Sequence, residues 1–315
     1  MTPPVPTIII IGATATGKSE LGVRLAESLR TEIINADSRQ IYRHLDIGTA
    51  KPSPAQRRRV VHHLIDVVPP DGMYDAAQFA RQAHRLCQEA QARRTLPLVV
   101  GGCGLYLNAL VNGLADAPEA SPAARARLLQ RAAADGLEVL YDELRRRDPL
   151  CAAAVHPHDR VRIIRALEVY EQTGETMTAL RRRHAHQPPR LHPWFIGVRC
   201  ARPALRRRIA ERAHDMVRRG LFEEVEGLVA RGYDERCRPL QGFSYQHLLA
   251  AVRGGLDRQE ALHRLIRDTQ RYAKRQETWF RRLSNVQWFD IDAFNPDQLH
   301  AAVVAFLRQA GVFEG

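Results

Sequence analysis

Twelve consecutive residues, Ile8-Ile9-Ile10-Ile11-Gly12-Ala13-Thr14-Ala15-Thr16-Gly17-Lys18-Ser19, narrow the folds open to this chain more than any other stretch. Four isoleucines in a row read as a strand buried on both faces, the pattern of a parallel sheet. The next eight residues have the spacing G-x-x-x-x-G-K-[ST] of a phosphate loop. Glycines let such a loop curl until successive backbone N–H groups face an anion. Lys18 adds a mobile positive charge, and the Ser19 hydroxyl suits a magnesium ion beside the phosphates. Leu21, Leu25 and Leu29 then repeat at helical spacing, so a helix N-terminus also faces the anion. The motif predicts a site for a phosphate or diphosphate and leaves open which molecule carries it.

The rest of the chain extends this reading. Glu32–Ala36 reads as a second strand and ends in Asp37-Ser38-Arg39-Gln40. Ligands of open α/β sheets lie at the carboxyl ends of strands. Asp37 is therefore a candidate general base or metal holder, and equally a helix-capping aspartate. Asp46–Pro52 is a loop that brings glycine, hydroxyl and ammonium together. His62–Val68 reads as a short strand, with Asp66 the nearest approach to a metal-holding aspartate of nucleotide hydrolases. The adjacent His62 and His63 point apart on a strand and make a poor metal pair. Tyr74–Arg94 is predicted helical. Leu96–Val100 is the next buried strand, and it ends in Gly101-Gly102-Cys103-Gly104, where glycines permit close approach to a ligand. A purine-nucleotide hydrolase would carry an acidic residue at such a tip, and this chain has none.

Composition shifts near residues 116–122. The chain is then rich in alanine and arginine, without a convincing strand, up to Trp194. The expected organisation is a phosphate-loop core over 1–117, a helical insertion over 118–193, and the rest of the core with basic C-terminal helices over 194–315. The fold class is α/β, a parallel sheet of the phosphate-loop NTPase kind flanked by helices. Arg162 and Arg165 share a face of a predicted helix over 160–172. Arg267, Arg271, Lys274 and Arg275 share a face of a long helix over 259–280, with Tyr272, Trp279 and Phe280 interleaved. Basic residues among aromatics favour a nucleic acid. Gln241–Tyr245 reads as a loop.

The net charge of +12 points the same way, towards a polyanionic partner. It comes from 44 arginines and only three lysines. A chain that uses arginine so heavily has a reason to keep Lys18, Lys51 and Lys274, because an ammonium is a compact point charge that a guanidinium does not replace. Five scattered cysteines without a C-x-x-C pair argue against zinc and disulfides and for a reducing cytoplasm. No apolar run reaches the ~20 residues of a membrane span, and the short proline-rich start leaves no room for a signal peptide.

Taken in order, these segments resemble the tRNA dimethylallyltransferase family. The matching stretches are GATATGKS (12–19), NADSRQIYRHLDIGTAKP (35–52), HHLIDV (62–67), LPLVVGGCGLYLNAL (96–110), HPHDRVRIIRALEVYEQTG (156–174), LQGFSYQ (240–246) and YAKRQETWFR (272–281). The resemblance implies transfer of a dimethylallyl group to the exocyclic amine of the adenosine 3′ of the anticodon in tRNA. Gly12, Ala13, Thr14, Ala15, Thr16, Gly17, Lys18 and Ser19 would then hold the diphosphate of dimethylallyl diphosphate with magnesium, rather than ATP. Asp37 matches the family's general base, and Arg212 a second cation for the leaving diphosphate. Asp37, Ser38, Arg39 and Gln40 match its tRNA contacts, as do Val161, Arg162, Ile163, Ile164 and Arg165, with Lys274 as an addition. Cys103, which joins Asp37, Arg212 and Lys18 in the expected catalytic set through a polar contact to substrate, stands where the family usually has threonine, and Ser244 where it usually has glycine. The chain is expected to act as a monomer. The competing readings are an adenylate isopentenyltransferase, a small-molecule kinase using ATP, and a non-catalytic RNA-binding protein. A kinase needs an adenine site and a lid that the sequence does not display. The basic insertion and the Lys274 helix favour tRNA over a free nucleotide.

Overall fold

Ile8, Ile9, Ile10 and Ile11 are completely buried, because their strand is central in a six-stranded sheet with layers on both faces. The structure, a computed structural model, describes residues 4–115, 117–185, 191–242 and 244–313. In chain order the elements begin β1 (Val5–Gly12), α1 (Lys18–Leu29), β2 (Ile33–Ala36), α2 (Pro54–Arg59), β3 (His62–His63), α3 (Ala76–Ala92), β4 (Leu98–Gly101) and α4 (Gly104–Val111). Then come α5 (Pro122–Ala134), α6 (Leu137–Arg147), α7 (Pro149–Ala153), α8 (Arg160–Thr173) and α9 (Met177–Ala185). The chain returns with β5 (Leu191–Arg199), α10 (Arg202–Arg218), α11 (Leu221–Ala230), α12 (Tyr245–Val252), α13 (Arg258–Phe280), β6 (Val286–Asp290) and α14 (Pro296–Gln309).

The sheet is parallel throughout, in the order β3-β2-β4-β1-β5-β6. This is the phosphate-loop NTPase-like α/β fold expected from the sequence. The chain passes from β1 to β2 and later inserts β4 between them, so a switch point lies at the carboxyl ends of β1 and β4, where such sheets bind ligands. On one face, Leu21 and Leu25 of α1 and Val303 and Leu307 of α14 pack with Ile8, Ile10, Leu98 and Ile196. Elsewhere α3 packs on α4, with the Phe79 and Tyr106 rings stacked at 4.3 Å.

The chain divides into two compact units, Met1–Val111 with Arg190–Gly315, and Asn112–Pro189. The second holds α5 to α9 around a core of Leu128, Leu140, Leu144, Ile163, Ile164 and Leu167. Residues 191–193, read with the insertion from sequence, instead start β5, where they pair with Val5, Pro6 and Thr7. Asp116 and Phe243, which fall in the expected composition boundary and in the expected Gln241–Tyr245 loop, lie outside the described residues.

Three local expectations change. The strand expected over His62–Val68 is only His62–His63, because Leu64 (φ 60°) and Asp66 (φ 58°) take left-handed backbone that ends an extended run. Helix α2 forms where the sequence shows only a charge run, Arg57-Arg58-Arg59. Its signal was Ser53 and Gln56 in a reciprocal capping box with Pro54 in the first turn. Helix α12 starts directly after Ser244 and is only eight residues long, too short for periodicity to separate it from its loop. Among the described residues no helix is long and apolar enough to cross a membrane.

Candidate active site

Gly12 closes β1 with φ 153°, and a β-carbon there would overlap the Val198 carbonyl of β5. Only glycine lets the chain leave the sheet at this point. Ala15 (φ 65°) and Gly17 (φ 84°) then take left-handed backbone, the alternation that curls a chain around an anion. The loop is braced internally, since the Thr16 hydroxyl donates to the Ala13 carbonyl at 2.8 Å. Lys18 opens α1, and its ammonium folds back to the same carbonyl at 2.6 Å. Burial, then the nearby Arg212, lower the Lys18 pKa to about 7, and Asp37 opposes them. A site that disfavours its own cations in this way is set up to gain from an incoming anion.

Arg212 comes from α10, 198 residues along the chain, and its Nη1 donates to the Thr14 hydroxyl at 3.4 Å. Its pKa is lowered chiefly by burial; Asp37 raises it and Arg219 lowers it further. The structure thus brings together Lys18, Asp37 and Arg212, with Thr14 accepting from Arg212. Asp37 directly follows β2, and its Oδ1 accepts the backbone N–H groups of Arg39 (2.8 Å) and Gln40 (3.4 Å). No helix starts here, so the expected helix cap gives way to a turn, which fixes the direction of the carboxylate.

Cys103 follows β4 at the start of α4. Its backbone N–H donates to the Ala36 carbonyl at 3.3 Å, and its own carbonyl accepts from Leu107 at 3.0 Å. Burial raises the thiol pKa, while hydrogen bonds from the Tyr106 and Leu105 backbone and from Ser38 act against the rise. A neutral thiol in this setting is a weak helix cap, not a nucleophile. Cys103→Thr is therefore expected to leave turnover within a few-fold of wild type and to maintain or raise the melting temperature. Steady-state kinetics with a thermal melt checks this. A large activity loss in a well-folded Cys103→Thr protein would contradict it.

The glycines after β4 make room for protein rather than for ligand, which corrects the sequence reading. A β-carbon on Gly101 would overlap the Ala36 carbonyl, one on Gly102 the Gln276 amide, and one on Gly104 the Trp279 ring. Gln276 and Trp279 belong to α13; sequence reasoning passed over Gln276 and took Trp279 as an aromatic facing nucleic acid. Tyr272, one turn earlier, is also near the site. Burial raises its phenol pKa, with further rises from Asp37 and Cys103.

Asp66 is not at the phosphate loop. Lys51 is 7% exposed, and its three N–H donors meet three acceptors: Asp66 Oδ1 at 2.5 Å, Asp46 Oδ1 at 2.6 Å and the Tyr42 carbonyl at 2.6 Å. Arg57 takes the other Asp66 oxygen at 2.8 Å. Asp66 follows the edge strand β3, and β2 and β4 lie between that strand and β1. Lys51 is thus site-specific, as its rarity suggests, but its work is structural. The Glu224 carboxylate holds the same loop by accepting the N–H groups of Asp46 (2.7 Å), Ile47 (2.5 Å) and Gly48 (3.1 Å) and the Tyr245 hydroxyl (2.7 Å).

Several residues expected to contact RNA have partners within the protein. Gln40 is buried, and its amide donates to the Thr49 and Ala50 carbonyls. Ile163 and Ile164 belong to the core of the insertion unit. Arg39 donates to the Pro239 carbonyl at 2.8 Å. On α8, Val161 and Arg162 are exposed, whereas Arg165 is committed to Glu168 and to the Pro118 carbonyl. Lys274 is exposed on α13, and among the described residues its ammonium has no carboxylate partner. Arg267 and Arg271 on the same helix share Asp268.

The loop after β1 is thus accompanied by two cations, Lys18 and Arg212, with the Asp37 carboxylate acting on both from the end of β2. The family model described as IPP transferase matches residues 40–283, and this chain belongs to that family. It is similar to tRNA dimethylallyltransferase 1 of Syntrophotalea carbinolica, with 43% identity over 90% of this chain and 91% of that one. The tRNA dimethylallyltransferase of Geobacter sulfurreducens is 42% identical over 95% of this chain and 96% of its own. Among solved structures, the tRNA isopentenylpyrophosphate transferase of Bacillus halodurans is 35% identical with a TM-score of 0.72, covering 97% of this chain and 96% of its own. A eukaryotic dimethylallyltransferase acting on tRNA is 26% identical with a TM-score of 0.78, over 90% of this chain and 73% of its own.

Proposed function

We propose that this chain transfers a dimethylallyl group from dimethylallyl diphosphate to N6 of the adenosine 3′ of the anticodon in tRNA. One observation carries the reading: Lys18 and Arg212 both reach the phosphate loop, at the Ala13 carbonyl and the Thr14 hydroxyl, and the Asp37 carboxylate acts on both. The N6 amine attacks the allylic carbon, the carbon–oxygen bond to diphosphate breaks, and the amine proton passes to Asp37. Negative charge builds on the leaving diphosphate, where the Lys18 ammonium and the Arg212 guanidinium stabilise it.

Magnesium fits this donor set. No group of three His, Cys, Asp or Glu side chains that could hold a metal occurs among the described residues. A magnesium ion there would rely on the Ser19 hydroxyl, substrate oxygens and water, which is its usual preference. When bound, it would supply further positive charge to the leaving group. One copy of the chain contains every group this reading uses.

A thermal-shift comparison tests the small-molecule half of the proposal. Dimethylallyl diphosphate with magnesium should raise the melting temperature by mass action, and ATP should do so far less. The reverse order would support a kinase.

The RNA half rests on Lys274 and Arg162. Each phosphate neutralised on a single strand contributes ~0.7 to the slope of log affinity against log salt. Lys274→Ala should weaken tRNA binding and flatten that slope by up to about one unit, leaving dimethylallyl diphosphate affinity unchanged. Superimposable salt series for wild type and Lys274→Ala would take α13 out of the RNA-binding surface.

A further inference from the structure

Gln276 lies in the stretch YAKRQETWFR, from which the sequence reading took only the basic and aromatic residues. It is 7% exposed, and both ends of its amide are used. Its Oε1 accepts the backbone N–H of Thr14 at 2.9 Å, and its Nε2 donates to the Gly102 carbonyl at 2.7 Å. These partners fix the orientation of the amide, since an N–H requires the oxygen and a carbonyl requires the nitrogen. Glutamine is the side chain of this length that offers one acceptor and two donors from a planar, uncharged head. The fit is close enough that a β-carbon on Gly102 would strike the amide nitrogen.

The two partners belong to opposite halves of the site. Thr14 is in the phosphate loop, and its hydroxyl also accepts from Arg212. Gly102 precedes Cys103, whose backbone N–H donates to the Ala36 carbonyl and whose thiol is hydrogen-bonded by Ser38. Ala36 and Ser38 flank Asp37. One buried amide thus ties the turn that carries Thr14 to the strand tip that leans on the Asp37 turn. The link spans 262 residues of sequence on one side and 174 on the other.

We propose that Gln276 is a positioning residue that sets the separation between the diphosphate cradle and the Asp37 carboxylate. The inference rests on the diphosphate reading of the phosphate loop. Gln276 does not contact the reacting atoms and acts through Thr14 and Gly102. A side chain in this role affects the rate of the bound complex more than the binding of either substrate, because the cradle and the base each survive while their spacing changes. Displacements of about 1 Å at a reacting centre can cost on the order of 10²-fold in rate.

The test is Gln276→Met, which retains length and bulk and loses both hydrogen bonds. Pyrophosphate with magnesium, titrated calorimetrically, counts the binding-competent sites, and single-turnover rates at saturating dimethylallyl diphosphate and tRNA are normalised to that count. The expected result is a rate per competent site about 10- to 100-fold lower, with pyrophosphate and tRNA dissociation constants within about three-fold of wild type. Gly102→Ala is the second variant, because it drives the amide away from outside and does not depend on Gln276→Met folding. It should lower the rate in the same way, and the double variant should lose less than the product of the two single losses. An unchanged rate per competent site in both single variants, with activity lost only through fewer competent sites, would overturn the inference and leave Gln276 a structural residue. If the wild type bound neither pyrophosphate nor dimethylallyl diphosphate, the diphosphate reading itself would fail, which is a different outcome from wild-type binding with a silent Gln276.

Discussion

Replacing Asp37 by alanine is expected to slow dimethylallyl transfer by about 10²–10⁴-fold, the usual cost of losing a general base, while tRNA affinity stays within a few-fold. Asp37 directly follows β2, where the parallel sheet delivers side chains to the ligand edge. In the turn Asp37–Gln40 one carboxylate oxygen is held by two backbone N–H groups. Asp37 also acts electrostatically on both Lys18 and Arg212. Asp37→Asn separates the two uses of the side chain. The amide oxygen can still accept from Arg39 and Gln40, but it cannot take up the amine proton. Asp37→Asn should therefore fold like wild type and be almost as slow as Asp37→Ala. Near-normal turnover in Asp37→Asn would remove the base assignment and leave only the turn-forming role.

The second large effect is on stability, and it falls in the insertion unit. Glu168 on α8 is completely buried. Its Oε2 accepts from Arg165 at 3.1 Å, and its Oε1 has no hydrogen-bond partner among the described residues. Arg165 also donates to the Pro118 carbonyl at 2.6 Å. Removing one partner of a buried pair leaves an uncompensated charge and typically costs about 3–5 kcal/mol. Arg165→Ala is expected to destabilise the unit on that scale, seen as faster amide hydrogen exchange along α8 in the full chain. Replacing both partners, Arg165→Met with Glu168→Leu, should restore most of the protection, because an apolar pair leaves no orphaned charge. The double variant is also the clean test of RNA contact. If it is folded and binds tRNA normally, Arg165 serves the fold alone. Unchanged exchange in Arg165→Ala would contradict the stability account.

The sequence announces the phosphate loop fully, because that signal is local: strand, glycines, lysine, serine and helix follow one another within 22 residues from Ile8 to Leu29. Asp37 is readable one step further out, through the rule that strand ends face the ligand. Arg212 is one of many arginines in its helix and is singled out by resemblance alone, since nothing in periodicity says which of them reaches Thr14. Gln276 is less legible still. Its meaning lies in two hydrogen bonds to segments far away in sequence, and an isolated glutamine in a basic helix carries no local sign of them. The glycines after β4 misled for the same reason, because glycine reports that something comes close and not whether it is a ligand or a helix. Lys51 was legible as unusual through its scarcity. Its structural use follows from the left-handed turn at Asp66, which sequence patterning reads as continued strand.

The central claim is the transfer itself. Purified protein would be incubated with dimethylallyl diphosphate, magnesium and unmodified tRNA, and the digested tRNA examined by mass spectrometry. The expected products are one dimethylallyl group on the adenosine 3′ of the anticodon and one diphosphate released per group transferred, both formed about 10²–10⁴-fold more slowly with Asp37→Ala. Unmodified tRNA alongside prenylated free adenine nucleotide, or phosphoryl transfer from ATP to a small acceptor, would contradict the claim.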